Sequence, residues 1–219
     1  MRTSLYDLSV PTFLQTVRSV GGFLDRAATH FSNTGVDPDN FVNTRLFDDM
    51  APFHFQIEAA CHHSVWGVEA LKTGAFTPPA LVGPVPFTDL QAMIGKAETA
   101  LEAFVPEEIN DCAGKHLDLQ IGPRRLAFTS ETFILSFSLP NFHFHAVTAY
   151  NILRSRGVPL GKRDYEVGCA PVHSEPKFGL QQKDHCQLEH RDHPPFMSSR
   201  PKGNKVADRE LVRMGAQDG

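Results

Sequence analysis

Asn141 and His145 are the residues of this chain whose types and spacing point most directly to chemistry. Four residues apart in an apolar helical pattern, they share a face with Thr148, Ala149 and Ile152, because positions three and four apart stack on a helix. An amide and an imidazole one turn apart, on the side that turns to the core, is an arrangement that divalent-metal sites use between packed helices. It is also the pattern of a hydrogen-bonded core histidine. His143 lies almost opposite His145 and belongs at a rim or in water. Complements come from an earlier helical segment that carries His54, Gln56, His62 and His63. On a straight helix His54 falls nearest the centre of the apolar stripe, Gln56 and His63 at one edge, and His62 away from it. Two adjacent histidines cannot both face inward, so His62 and His63 read as a surface pair.

Other polar groupings carry less. Lys162, Arg163 and Asp164 follow a Gly-Pro-rich bend and suit either an anionic ligand or a solvated closing segment whose Tyr165 packs back. Arg124 and Arg125 read as a surface pair. His185, Cys186, His190 and His193 imitate metal-ligand spacing but have no second half to close a tetrahedral site. The four cysteines form no CxxC pair, which argues against a zinc ribbon or a disulfide framework. No nucleophile elbow, phosphate-binding loop or dinucleotide-binding glycine pattern is present.

Four amphipathic segments must position these side chains. The first is predicted from about 11 to 31, with Ser9 as its cap and Pro11 in its first turn. The second spans about 49–72. The third, about 88–104, opens on a Thr88/Gln91 capping box. The fourth, about 131–156, is capped by Ser130 and stopped by Gly157 and Pro159. Pro140 lies inside that last pattern, where it removes a backbone hydrogen bond and bends the helix at a cost of about 3 kcal/mol. Residues 74–87 hold four prolines and read as a crossing loop, and 116–128 alternate as a short hairpin. The fold class that follows is all-α: a four-helix bundle over residues 4–165, with a β-hairpin inserted before the last helix. Residues 166–219, rich in Gly and Pro and poor in apolar periodicity, read as a disordered C-terminal tail.

Composition limits the function. The formal net charge of −4 leaves no cationic surplus for phosphates, so a helix-turn-helix DNA reader is disfavoured. No segment approaches the roughly 18–20 apolar residues that cross a bilayer, and the N-terminus lacks a signal-peptide pattern. A cytoplasmic protein with reduced thiols is expected.

Three blocks, SLYDLSVPTFL, DDMAPFHFQIEAAC and LPNFHFHAVTAYNILRSRGVPLGKRDY, resemble the uncharacterised proteins grouped as domain of unknown function 1993. That family is similar to the DinB/YfiT-like four-helix bundles, many of which hold a divalent metal through three histidines, one from the second helix and two from the last. The superfamily includes thiol-dependent transferases and hydrolase-like members. By position, the resemblance makes His145 the later last-helix ligand and puts Asn141 where the earlier histidine stands. It suggests Gln56 for the second helix, with His54 and His63 nearby. One imidazole and two amides would hold zinc or nickel far more weakly than three imidazoles. The resemblance therefore implies a polar pocket with a degenerate metal site, acting on a thiol or other small molecule by transfer or hydrolysis. The competing expectation is a homodimeric interaction or stress-response module without chemistry.

Overall fold

The computed structural model describes residues 3–80 and 83–166. From residue 167 on, the expected tail and its His185–His193 cluster lie outside the described residues. What is described is mostly helical, with one small sheet.

Helix α1 spans Leu5–Thr34, six residues longer at its start than the pattern around Pro11 suggests. Ser4, not Ser9, is the cap: its Oγ accepts from the Asp7 amide while Asp7 Oδ2 accepts from the Ser4 amide at 3.1 Å. Ser9 is buried inside the helix and donates its hydroxyl to Leu5 O at 2.7 Å. Pro11 thus sits in the second turn, where it has no N–H to offer the carbonyl of Asp7. At the other end Gly35 takes φ +70° and its N–H bonds Phe31 O, the left-handed stop that glycine makes without strain.

A short helix α2 (Pro38–Phe41) leads to α3 (Phe53–Cys61), a π-helical turn (His62–Trp66) and α4 (Gly67–Thr73). Together these form the second rod. The proline-rich crossing segment is not wholly irregular. Ala75–Phe76 is a strand, β1, paired in parallel with β2 (His116–Ile121), which pairs antiparallel with β3 (Arg124–Thr129). The third rod, α5 (Phe87–Glu102), lacks the expected Thr88/Gln91 box. Its first amide, Phe87 N–H, is held by Asp39 Oδ1 at 2.8 Å from 48 residues away, and Gln91 bonds Asp25 instead. Helix α6 is Pro106–Asn110.

The last rod is α7 (Ser130–Phe133), a second π-helical turn (Ile134–Ser138) and α8 (Leu139–Ser155). Its cap is Thr129, with Thr132 reciprocating, while Ser130 is buried and donates to Cys112 O at 2.7 Å. The rod ends before Gly157, at φ +91°. A closing turn, α9 (Lys162–Tyr165), lays Tyr165 against Tyr150 and pairs Asp164 with Arg26 at 3.1 Å.

α1 packs on α5 and α8, and α3 packs on the same two, so the rods close on a shared core. Phe13 and Phe142 meet edge to face at 5.0 Å where α1 crosses α8. Phe31, Phe41, Phe53 and Phe87 form one aromatic cluster, and Phe76, Phe133 and Phe137 another. Among the described residues no helix is long and apolar enough to cross a membrane.

Candidate functional site

The second and last rods carry one π turn each, and the two turns touch. In the last rod the cause is Pro140. With no N–H to give and a ring that crowds the turn before it, the proline opens the ladder, and Leu139 N–H bonds Ile134 O five residues back. Side chains take up carbonyls in this stretch: Ser136 Oγ donates to Thr132 O, and Asn141 Nδ2 to Phe137 O at 2.7 Å. The expected bend is therefore absorbed as a π turn. In the second rod Gly67 N–H likewise reaches His62 O, and Ser64 Oγ donates to Ala60 O at 2.9 Å. Ser138 Oγ then donates across to His63 O at 2.6 Å. Gly67 permits this approach, since a Cβ there would collide with Ser138 Oγ.

Against this joint lies a polar cluster. His145 Nδ1 is 2.8 Å from Gln56 Oε1. Gln56 is buried and spends its Nε2 on Ala51 O at 2.9 Å, which turns its oxygen toward the imidazole. An amide oxygen only accepts, so this network assigns the proton of His145 to Nδ1 and the lone pair to Nε2. Phe55 and Phe144 approach the same ring edge to face, at 5.7 and 5.3 Å. Burial pushes the His145 imidazole down to about 4, so the ring is neutral at neutral pH.

His63 corrects the surface-pair reading. It is 3% exposed and stacks on His145 with centroids 5.7 Å apart and planes 14° from parallel. Its Nδ1 is buried without a hydrogen-bond partner. Burial first, then the neighbouring His145 and His62, push it down to about 3. His62 does turn away from His145, as a straight helix suggests, but that side is covered by chain rather than water. Its Nε2 donates to Thr77 O at 2.7 Å, and its ring packs on Phe76 and Trp66. His54 is buried and bonds Glu58 at 3.0 Å through Nδ1. His143 is half-buried against Phe142.

Of the sequence-derived set, then, Gln56 and His145 are in contact. Asn141 shares the face of His145 but donates its Nδ2 to Phe137 O in the π turn of its own rod. These residues do not fit a three-imidazole metal centre. Gln56 Oε1 is spent on His145, the two last-helix positions supply one imidazole and one amide, and no carboxylate or thiolate joins them among the described residues. Among the described residues no group of three His, Cys, Asp or Glu is placed to hold an ion. Two larger cavities, of about 720 and 570 Å³, are both lined by His62, Val65, Trp66 and Thr77, and by neither Gln56, Asn141 nor His145.

Comparison with known proteins agrees with the architecture. A crystal structure of a DinB family member protein from Shewanella denitrificans matches at a TM-score of 0.64 and 28% identity, over 78% of this chain and 96% of that one. None of the curated proteins matches. The family profile named domain of unknown function (DUF1993) matches residues 5–166, from the first residue of α1 to just past the closing turn. With three-quarters of its length so matched and a DinB family member as structural neighbour, this chain belongs to the DUF1993 family.

Proposed function

We propose that the chain is a DinB-like four-helix bundle that binds a small protic molecule, such as a thiol, at His145, in a site degenerate for divalent metal. The observation that carries this reading is the 2.8 Å bond from His145 Nδ1–H to Gln56 Oε1. It orients the ring, fixes the tautomer and leaves a neutral Nε2 as acceptor for an S–H or O–H group. Four rods packed in pairs around one core support the bundle, and Gln56 and Asn141 in place of imidazoles support the loss of metal affinity.

The test is metal retention after dialysis together with NMR of the histidine rings. Wild type should release zinc and nickel, whereas the double variant Gln56→His/Asn141→His should retain one equivalent. Small thiols should perturb the His145 ring signals. If wild type itself keeps one equivalent and loses it in His145→Ala, the working site is a metal centre with Gln56, Asn141 and His145 as ligands. If no thiol, water-like ligand or metal perturbs the ring, the site has no ligand role.

A second reading, a homodimeric interaction module, is favoured by one observation. Phe144 and Val147, one turn apart on α8, are 56% and 40% exposed. Sedimentation of wild type and Phe144→Glu tests it: a dimer that the glutamate converts to monomer supports this reading, and a wild-type monomer removes it.

A further inference from the structure

The cavity of about 720 Å³ is open to solvent and lies between the second rod and α5, lined also by Thr77–Ala80 and Val85 of the crossing segment. Its size falls within the range of about 300–1,000 Å³ typical of small-molecule sites. Val65, Trp66, Met93, Ala97 and Ala100 make most of its wall apolar. Two charged side chains face it from the two rods. Glu58, on α3, has a side chain only 11% exposed, and Lys96, on α5, is exposed and forms no ion pair among the described residues.

Glu58 is the informative one. His54 satisfies one carboxylate oxygen, Oε1, from the core side at 3.0 Å. The other oxygen makes no hydrogen bond within the described residues. A largely buried carboxylate with one bond leaves electrostatic free energy to be gained from a donor, and a cationic donor gains most. Cys61, one turn on, registers the same charge: burial first, then Glu58, push its thiol up to about 12, so it lines the wall as a neutral group. Trp66, 61% exposed, also lines the cavity and stacks at 27° on His62, which Thr77 O holds in place. An aromatic face and a carboxylate lining one cavity suit a ligand with an apolar body and an ammonium head. Lys96 disfavours a second positive charge, so the ligand has a single cationic head.

Independently of the His145 site, we propose that this cavity binds a hydrophobic primary amine, with its ammonium on Glu58 and its apolar body against Val65, Trp66, Met93 and Ala97. No other class fits as well. A carboxylate would meet Glu58 in the apolar interior, and a neutral alcohol would leave the Glu58 charge uncompensated.

Trp66 is the sole tryptophan of the chain, so its fluorescence reads the cavity directly. Phenethylamine, 3-phenylpropanoate and 2-phenylethanol share a ring and chain and differ in head group. The amine should produce a saturable change in Trp66 emission that is at least about tenfold weaker in affinity in Glu58→Gln. It should be unchanged in His145→Ala, which separates this site from the other. Ala100→Phe, which fills the cavity from α5, should abolish the response, while the helical circular dichroism of both variants should match wild type. Equal binding of the acid or the alcohol, an undiminished amine affinity in Glu58→Gln, or a response that survives Ala100→Phe would each overturn the proposal.

Discussion

His63 is a buried imidazole with an unpartnered nitrogen, and that makes the stability of the fold depend on acid. The unfolded chain protonates this ring near its ordinary value of 6.5, whereas the folded chain resists until about 3. Between those values the unfolded state holds a proton that the native state does not, so stability is full above 6.5 and drains away as pH falls. One such group contributes a slope of up to about 1.4 kcal/mol per pH unit, and His145, held near 4, acts in the same direction. Denaturant midpoints measured from pH 7 to 4 should fall, and His63→Phe should flatten the fall. The Gln56–His145 contact makes a second prediction. In Gln56→Glu a carboxylate replaces the amide oxygen beside the ring, favours the imidazolium and raises the His145 value from about 4, which NMR titration would follow. At this scale His145 was legible in the sequence as a polar residue on the inward face of its helix, and Gln56 as one at the edge of an apolar stripe. His63 shares the edge of Gln56, two turns on, but its burial depends on Phe76 and Phe137, which come from segments distant in the chain.

At the scale of elements, the joined π turns set the geometry of the site. Gly67 is small because Ser138 Oγ occupies the space where a side chain would begin. Gly67→Ala should therefore cost about 1–3 kcal/mol, the usual range for overpacking. Much of that loss should vanish when Ser138→Ala removes the clashing hydroxyl, so the double variant should be more stable than the sum of the singles predicts. Chemical denaturation of the four proteins measures the coupling. Pro140 announced a break in the last helix, but the sequence could not say that a π turn would absorb it. Caps were misassigned for a related reason. Ser9, Thr88 and Ser130 each have the right chemistry, while the true caps are set by a box one turn earlier, by a distant Asp39 and by the neighbouring Thr129.

For the molecule as a whole, the contact of Phe13 with Phe142 ties the first rod to the last, and both rings are fully buried. Phe142→Ala should cost about 3–5 kcal/mol, in the range of large-to-small core changes. Because the rods share one core, tyrosine and tryptophan probes should report the loss in one transition. Separate transitions for Trp66 and for the tyrosines would mean that the second rod unfolds independently.

Periodicity and composition alone determined that this chain folds mostly into helices, with a hairpin before the last. They also put Asn141 and His145 on an inward face, because a 3.6-residue repeat is a local property of the chain. Tertiary structure decided which polar groups meet. The partner of His145, the burial of His63, the approach of Ser138 to Gly67 and the place of Glu58 on a cavity wall all depend on how separate rods are laid against each other, and no local pattern encodes that.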